Sequence, residues 1–160
     1  QTITTSGIYT LNALEKSRGI AALKIPVEVD GASGNQLSYY MEFRTDEGQD
    51  SGFGSYTNVY DGPVLYMSGY KRPDEWGASG NYTDTLILMF PPYNDAKISP
   101  SLPNIHAVPV GKTFFDFRRN LAIKTLSKTA DSVTVEVALN LDCSYQSQVE
   151  PATPSQAKSS

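Results

Sequence analysis

Histidine, cysteine and tryptophan are almost absent from this chain: His106, Cys143 and Trp76 are the single examples of each in 160 residues. One cysteine closes no disulfide within the chain and holds no metal alone, so Cys143 is either a free thiol or the partner of sequence beyond this segment. One histidine excludes the two-histidine HExxH zinc helix, and no Ser/His/Asp or Cys/His arrangement can be assembled around it. His106 lies in NIHAVP and reads as a turn or surface residue. Basic residues are also scarce, with 13 Lys and Arg against 17 Asp and Glu and a net charge of -4. Lys71-Arg72 and Arg118-Arg119 are the only local basic clusters, and neither makes a stripe. A phosphate backbone needs a basic face, so nucleic acid is not an expected partner. No run approaches the roughly 20 apolar residues of a membrane-spanning helix, so no membrane span is expected.

What the chain does have is turn formers and tyrosine. It carries 12 Gly, 10 Pro and 10 Tyr, with hydrophobic residues at 39%, a balance that suits many short strands and argues against long helices. The low lysine content, the Gln start and the Ser/Thr/Tyr/Asn-rich composition predict a secreted, extracellular protein, in which Asn81-Tyr82-Thr83 would be an acceptor for N-glycosylation where the host glycosylates. At this length one domain with its own core is expected.

Period-two alternation supplies the strands. Leu37, Tyr39, Met41 and Phe43 alternate with Ser38, Tyr40, Glu42 and Arg44, which predicts one row facing a core and one facing outward. Leu23, Ile25, Val27 and Val29 form a preceding strand and make a hairpin with it across the turn cluster Asp30 to Gln36. Pro26 cannot donate to a ladder, so that strand should lie at an edge or carry a bulge. Gly7 to Leu14 and Val64 to Met67 read as further strands. Leu86 to Phe90 is expected as a strand buried on both faces or lining the core, and Gly111 to Phe117 as another. Leu121 to Leu126 and Val133 to Leu139 form a closing hairpin. Gln1 to Ser6 reads as a frayed lead-in, Ser68 to Asp84 as a long stretch without core pattern, and Tyr93 to Pro109 as irregular. The sum is an all-β, antiparallel β-sandwich, jelly-roll or Ig-like, of about eight or nine short strands over residues 1–145. Residues 146–160, rich in Ser, Pro, Thr and Gln, have the composition of a disordered linker.

Two groups of residues stand out as candidate sites. The loop after the central strand collects Asp46, Glu47 and Asp50 between Gly48, Gly52 and Gly54, oxygen ligands of the kind calcium takes. Their spacing matches no EF-hand loop, and a solvated loop is the plainer reading. No other cofactor is implied. Trp76 with Tyr70, Tyr82 and Tyr93 is the candidate aromatic platform for stacking on sugar rings or a peptide, the alternative being that Trp76 folds back to plug a sheet edge. Glu42 and Arg44, two residues apart on one strand, predict an ion pair on the outward face and not a catalytic carboxylate pair.

The order of motifs resembles a known region. Thr10 to Pro26 (TLNALEKSRGIAALKIP), Tyr39 to Arg44 (YYMEFR), Gly62 to Met67 (GPVLYM), Leu86 to Pro92 (LILMFPP), Val108 to Phe117 (VPVGKTFFDF) and Leu121 to Val137 follow one another as in secreted metallopeptidases of the gametolysin type and their bacterial relatives, in the part after the catalytic domain. Gly19, Ala22, Leu23, Ile25, Pro26, Glu42, Arg44, Gly111, Thr113, Phe114 and Asp116 carry the resemblance, with Asn120 where that family usually has glycine. The resemblance implies a non-catalytic accessory module of a secreted multidomain hydrolase, a monomer whose partner is the catalytic domain of the same parent chain. Its work would be to pack on that domain or to target it to substrate. The alternative function is a carbohydrate- or glycoprotein-binding module using the surface around Trp76. On neither reading is this chain itself an enzyme, since no acid, base or nucleophile pair is visible.

Overall fold

The computed structural model describes residues 1–16, 18–29, 31, 34–52, 59–71, 83–87 and 107–141. Within them lie eight strands: β1 (Gly7–Asn12), β2 (Ala22–Val29), β3 (Gln36–Phe43), β4 (Pro63–Lys71), β5 (Thr83–Ile87), β6 (Thr113–Asp116), β7 (Leu121–Lys128) and β8 (Ser132–Leu139). The helical content of the described residues is two short 3₁₀ turns, at Leu14–Lys16 and Gly48–Asp50. None of it is long and apolar enough to cross a membrane.

The strands form two antiparallel sheets, ordered β1-β8-β7-β6 and β2-β3-β4-β5. An immunoglobulin sandwich interleaves its strands, ABED against CFG. Here, among the described strands, neighbours in each sheet are consecutive in the chain, with β1 beside β8 as the exception. The antiparallel sandwich is therefore as expected. Among the described strands, β2 to β5 and β6 to β8 run as meanders, with β1 added beside β8.

Alternation becomes sidedness in β3, whose inward row Leu37, Tyr39, Met41 and Phe43 is 3%, 2%, 0% and 1% exposed. Tyr39, Met41 and Phe43 of this row, with Leu23, Ile25 and Leu65 of the same sheet, pack against Leu11, Leu121, Ile123, Val133, Val135 and Val137 of the other. Fully burying an aliphatic side chain of this kind contributes roughly 1.5–3 kcal/mol, so the two facing rows hold the sandwich together.

Pro26 meets both expectations placed on it: β2 ends its sheet, and the register with β3 slips between Pro26 and Glu28. The lead-in is not frayed. The Ile3 amide donates to the Lys24 carbonyl at 2.9 Å and the Lys24 amide to the Gln1 carbonyl at 2.8 Å, so residues 1–3 cover the β2 edge in parallel before the chain crosses to β1. Ile3 is buried in the core, and one apolar residue among polar ones leaves no period to detect.

The stretch from Ser68 is also more ordered than its pattern predicts. β4 runs on to Lys71 through a bulge at Gly69, and Tyr70 and Lys71 pair with Asp84 and Thr83. The last sheet strand thus begins at Thr83, three residues before the apolar run at Leu86, because a ladder is made by backbone groups and needs no apolar row. Residues 88–90 of the expected strand lie outside the described residues.

One segment of the irregular stretch is core. Val108 is 0% exposed; its amide donates to the Pro63 carbonyl at 2.9 Å, and its carbonyl accepts from the Thr125 hydroxyl at 2.8 Å. Val108 therefore ties the start of β4 to β7 in the opposite sheet. Gly62 makes room for it, since a Cβ there would stand 1.8 Å from the Val108 carbonyl oxygen.

Candidate functional site

The outward row of β3 lines a groove on the face of the second sheet. Register sets Tyr40 opposite Tyr66 and Ser38 opposite Ser68, and Tyr40, Glu42, Arg44, Tyr66 and Ser68 border an open depression of about 360 Å³. Each side chain is on this face because β3 and the part of β4 before its bulge, up to Ser68, alternate, which sends every second residue away from the core. Lys24, across the ladder from Tyr40, places its ammonium 5.6 Å from that ring's centroid. Ser38, at one end of the row, is 1% exposed, and among the described residues its hydroxyl has no hydrogen-bond partner.

The charged groups of the groove form one chain of bonds. Arg44 Nε donates to Glu42 Oε1 at 2.6 Å, and its Nη1 reaches both oxygens of Asp50 at 3.0 Å. The Tyr66 phenol donates to the same Glu42 oxygen. The expected Glu42–Arg44 pair is present, and it is less exposed than a surface pair, at 18% and 29%. Burial, then the hydrogen bond to Glu42, pushes the Tyr66 phenol up to about 12. The phenol stays protonated at any ordinary pH and holds the carboxylate in place.

The acidic loop is tied down residue by residue. Asp50 receives Arg44, Glu47 takes the Lys16 ammonium at 2.6 Å, and Asp46 Oδ1 accepts the Gly52 amide at 2.9 Å. Lys16 also reaches Asp131 at 3.0 Å, which joins this loop to the turn before β8. The three carboxylates thus have three different partners, and among the described residues no group of three His, Cys, Asp or Glu converges to hold a metal. Beside them Glu15 accepts the Thr45 hydroxyl on Oε2 at 3.2 Å, while its buried Oε1 has no partner among the described residues. A second depression, of about 300 Å³, opens between this loop and the β7–β8 turn, bordered by Phe43, Asp46, Tyr60 and Lys128.

A second polar cluster joins the two sheets at the opposite end of β3. Tyr39 donates its phenol hydrogen to Asp116 Oδ2. Arg119 donates to the same oxygen at 2.8 Å and, through Nε, to Glu28 at 3.0 Å. The Phe114 ring meets Tyr39 edge-on, with centroids 5.7 Å apart. Burial works to raise the Asp116 pKa, but the hydrogen bonds from Tyr39 and Arg119 outweigh it and hold the carboxyl below its usual range. Burial, then the bond to Asp116, raises Tyr39 above the ordinary phenol value.

Of the aromatic residues singled out in the sequence, Tyr70 has its backbone in β4, and Trp76, Tyr82 and Tyr93 lie outside the described residues, as do His106, Cys143 and residues 146–160. The structure brings other aromatics forward. Tyr40 and Tyr66 face each other in the groove, and Phe115 stacks on Phe117 with planes 2° apart and Phe117 61% exposed. Tyr40 was legible as outward-facing, but its partner on β4 was not, because pairing between strands separated by a long loop has no local signal. Comparison with family models, with curated proteins and with solved structures finds no match to this chain.

Proposed function

We propose that this chain is a non-catalytic accessory module of a secreted multidomain hydrolase, with a zinc metallopeptidase of the gametolysin type as the parent enzyme that the sequence resemblance implies. Its partner is then the catalytic domain of the same parent chain, and its role is to pack on that domain or to hold it on substrate. The observation that supports this reading is where the residues of the resemblance fall. Leu23 and Ile25 are core, and Pro26 sits at the β2 bulge. Gly19 and Gly111 take positive φ of 73° and 78°, which suits glycine. Glu42 pairs with Arg44, and Asp116 joins the two sheets through Tyr39. Asn120, standing where the family usually has glycine, has φ 50°, a conformation asparagine tolerates better than other residues with a Cβ. The shared motif is thus a motif of scaffold positions, as a domain selected for shape and not for chemistry would have.

The test is the parent gene. An HExxH-bearing domain encoded upstream of Gln1, with zinc-dependent peptidase activity that falls on macromolecular substrate when residues 1–145 are deleted, is the expected result. A parent gene with no such domain removes the reading.

A further inference from the structure

The groove on the β2-β3-β4-β5 face has a chemistry that selects its ligand. An anion needs a cation not already matched; Arg44, the one cation of the described border, is held between Glu42 and Asp50, and the neighbouring Lys24 ammonium lies against the Tyr40 ring. A cation or metal needs a carboxylate not already matched, and Glu42 is held by Arg44 and by the Tyr66 phenol. A lipid or other apolar ligand needs a continuous apolar wall, and in the described border of this groove the two tyrosine rings are interrupted by a serine, a carboxylate and a guanidinium. What fits is a neutral ligand with apolar faces and a dense rim of hydroxyls.

We propose that this groove binds a short stretch of a neutral polysaccharide, with Tyr40 and Tyr66 as stacking faces and the Glu42–Arg44 pair as the hydroxyl-recognising group. A pyranose ring presents C–H groups on its face and hydroxyls on its edge. Aromatic side chains provide contact area at low entropy cost for the first. A carboxylate beside a guanidinium provides acceptors and donors for the second. Among the described residues Glu42 Oε1 is used by Arg44 and Tyr66, and Glu42 Oε2 and Arg44 Nη2 are the atoms that would accept from a sugar hydroxyl and donate to its neighbour. The pair is fixed before ligand arrives, because Asp50 anchors Arg44 from the acidic loop. The depression is open along the sheet and its 360 Å³ is at the small end of ligand sites, roughly 300–1,000 Å³, which suits a few units within a longer chain. This inference is independent of the metallopeptidase reading, and it locates sugar recognition on the sheet face and not at Trp76.

The experiment is titration calorimetry with cellohexaose, xylohexaose and mannohexaose, and with polygalacturonate as the charged control. Wild type is expected to bind at least one neutral hexasaccharide saturably, with affinity unchanged at high salt and no binding of polygalacturonate. Tyr40→Ala and Glu42→Gln are each expected to weaken that binding at least about tenfold while melting close to wild type. If Tyr40→Ala fails to fold, Tyr40→Leu replaces it, which removes the ring and keeps an apolar side chain on the strand, with the same loss of binding expected. Absence of binding to all three neutral probes overturns the proposal. So does binding that survives the groove variants and is lost in Trp76→Ala, which would return the site to the aromatic platform read from the sequence.

Discussion

The phenol of Tyr39, on β3 in one sheet, donates its hydrogen to the carboxylate of Asp116, at the end of β6 in the other. The inward row of one sheet is thus fastened to the rim of the opposite sheet by a bond with a charged acceptor, and Arg119 carries the fastening on to Glu28 of β2. Tyr39→Phe is expected to lower stability by about 1–2 kcal/mol, since the carboxylate keeps Arg119 but loses a donor. In a double-mutant cycle with Asp116→Asn, chemical denaturation should show coupling between the two. Strictly additive losses would mean that the bond contributes nothing in solution.

Acid should loosen this junction. The folded pKa of Asp116 lies below that of the unfolded chain, so below about pH 4 the unfolded state binds more protons than the native one. Its stabilising contribution is complete above the unfolded pKa and is lost as pH falls through the folded one. Melting temperature should therefore drop on acidification through this range, and Asp116→Asn, less stable at neutral pH, should show a shallower drop. Parallel profiles would assign acid sensitivity to other carboxylates.

The alkaline side has the opposite sign. Tyr66 is pushed up to about 12 and Tyr39 is raised as well, so above about pH 10 the unfolded chain gives up phenolic protons that the native one retains. Stability should fall as pH rises from there. Tyrosinate absorbance in the folded protein should show at least two phenols, Tyr39 and Tyr66, titrating late, and Tyr66→Phe should remove one of them. Ten phenols titrating together below the unfolding pH would contradict the bonds to Glu42 and Asp116.

Two glycines separate steric need from conformational need. Gly62→Ala would drive a methyl to 1.8 Å from the Val108 carbonyl oxygen, in backbone that cannot retreat without releasing Pro63 and Thr125. A loss of about 2–4 kcal/mol is expected, at the high end for a single methyl. Gly34→Ala, at φ 71° with open space around it, should cost about 1 kcal/mol from left-handed backbone alone. Denaturant midpoints compare them directly, and equal losses would show that the Val108 contact yields.

Metal should matter little to the fold. Asp46, Glu47 and Asp50 each have their own partner, so a melting curve in EDTA should superimpose on one with millimolar calcium. A calcium-dependent rise in melting temperature would show that these carboxylates leave their partners to share an ion.

The sequence by itself determined the strands whose sides differ. Leu37 to Phe43, Leu23 to Ile25 and Val133 to Val137 alternate between apolar and polar residues, and a period of two dictates which row is buried before any partner is known; past the register slip after Pro26 the row breaks, and Val29, placed in it by the pattern, is 62% exposed. It also determined the bulge and edge position of Pro26, because a missing amide hydrogen acts within one residue. Tertiary structure decided what depends on contact between distant parts of the chain. Ile3 and Val108 are core although neither sits in a pattern, since each is buried by what surrounds it and not by its neighbours in sequence. Tyr66 meets Tyr40 and Glu42 only because β4 lies beside β3, and the carboxylates of the acidic loop are parted only because Arg44, Lys16 and Gly52 reach them from three directions. Local periodicity fixes the face a side chain takes; which groups it meets there is set by register and by the packing of the two sheets, and these are properties of the whole fold.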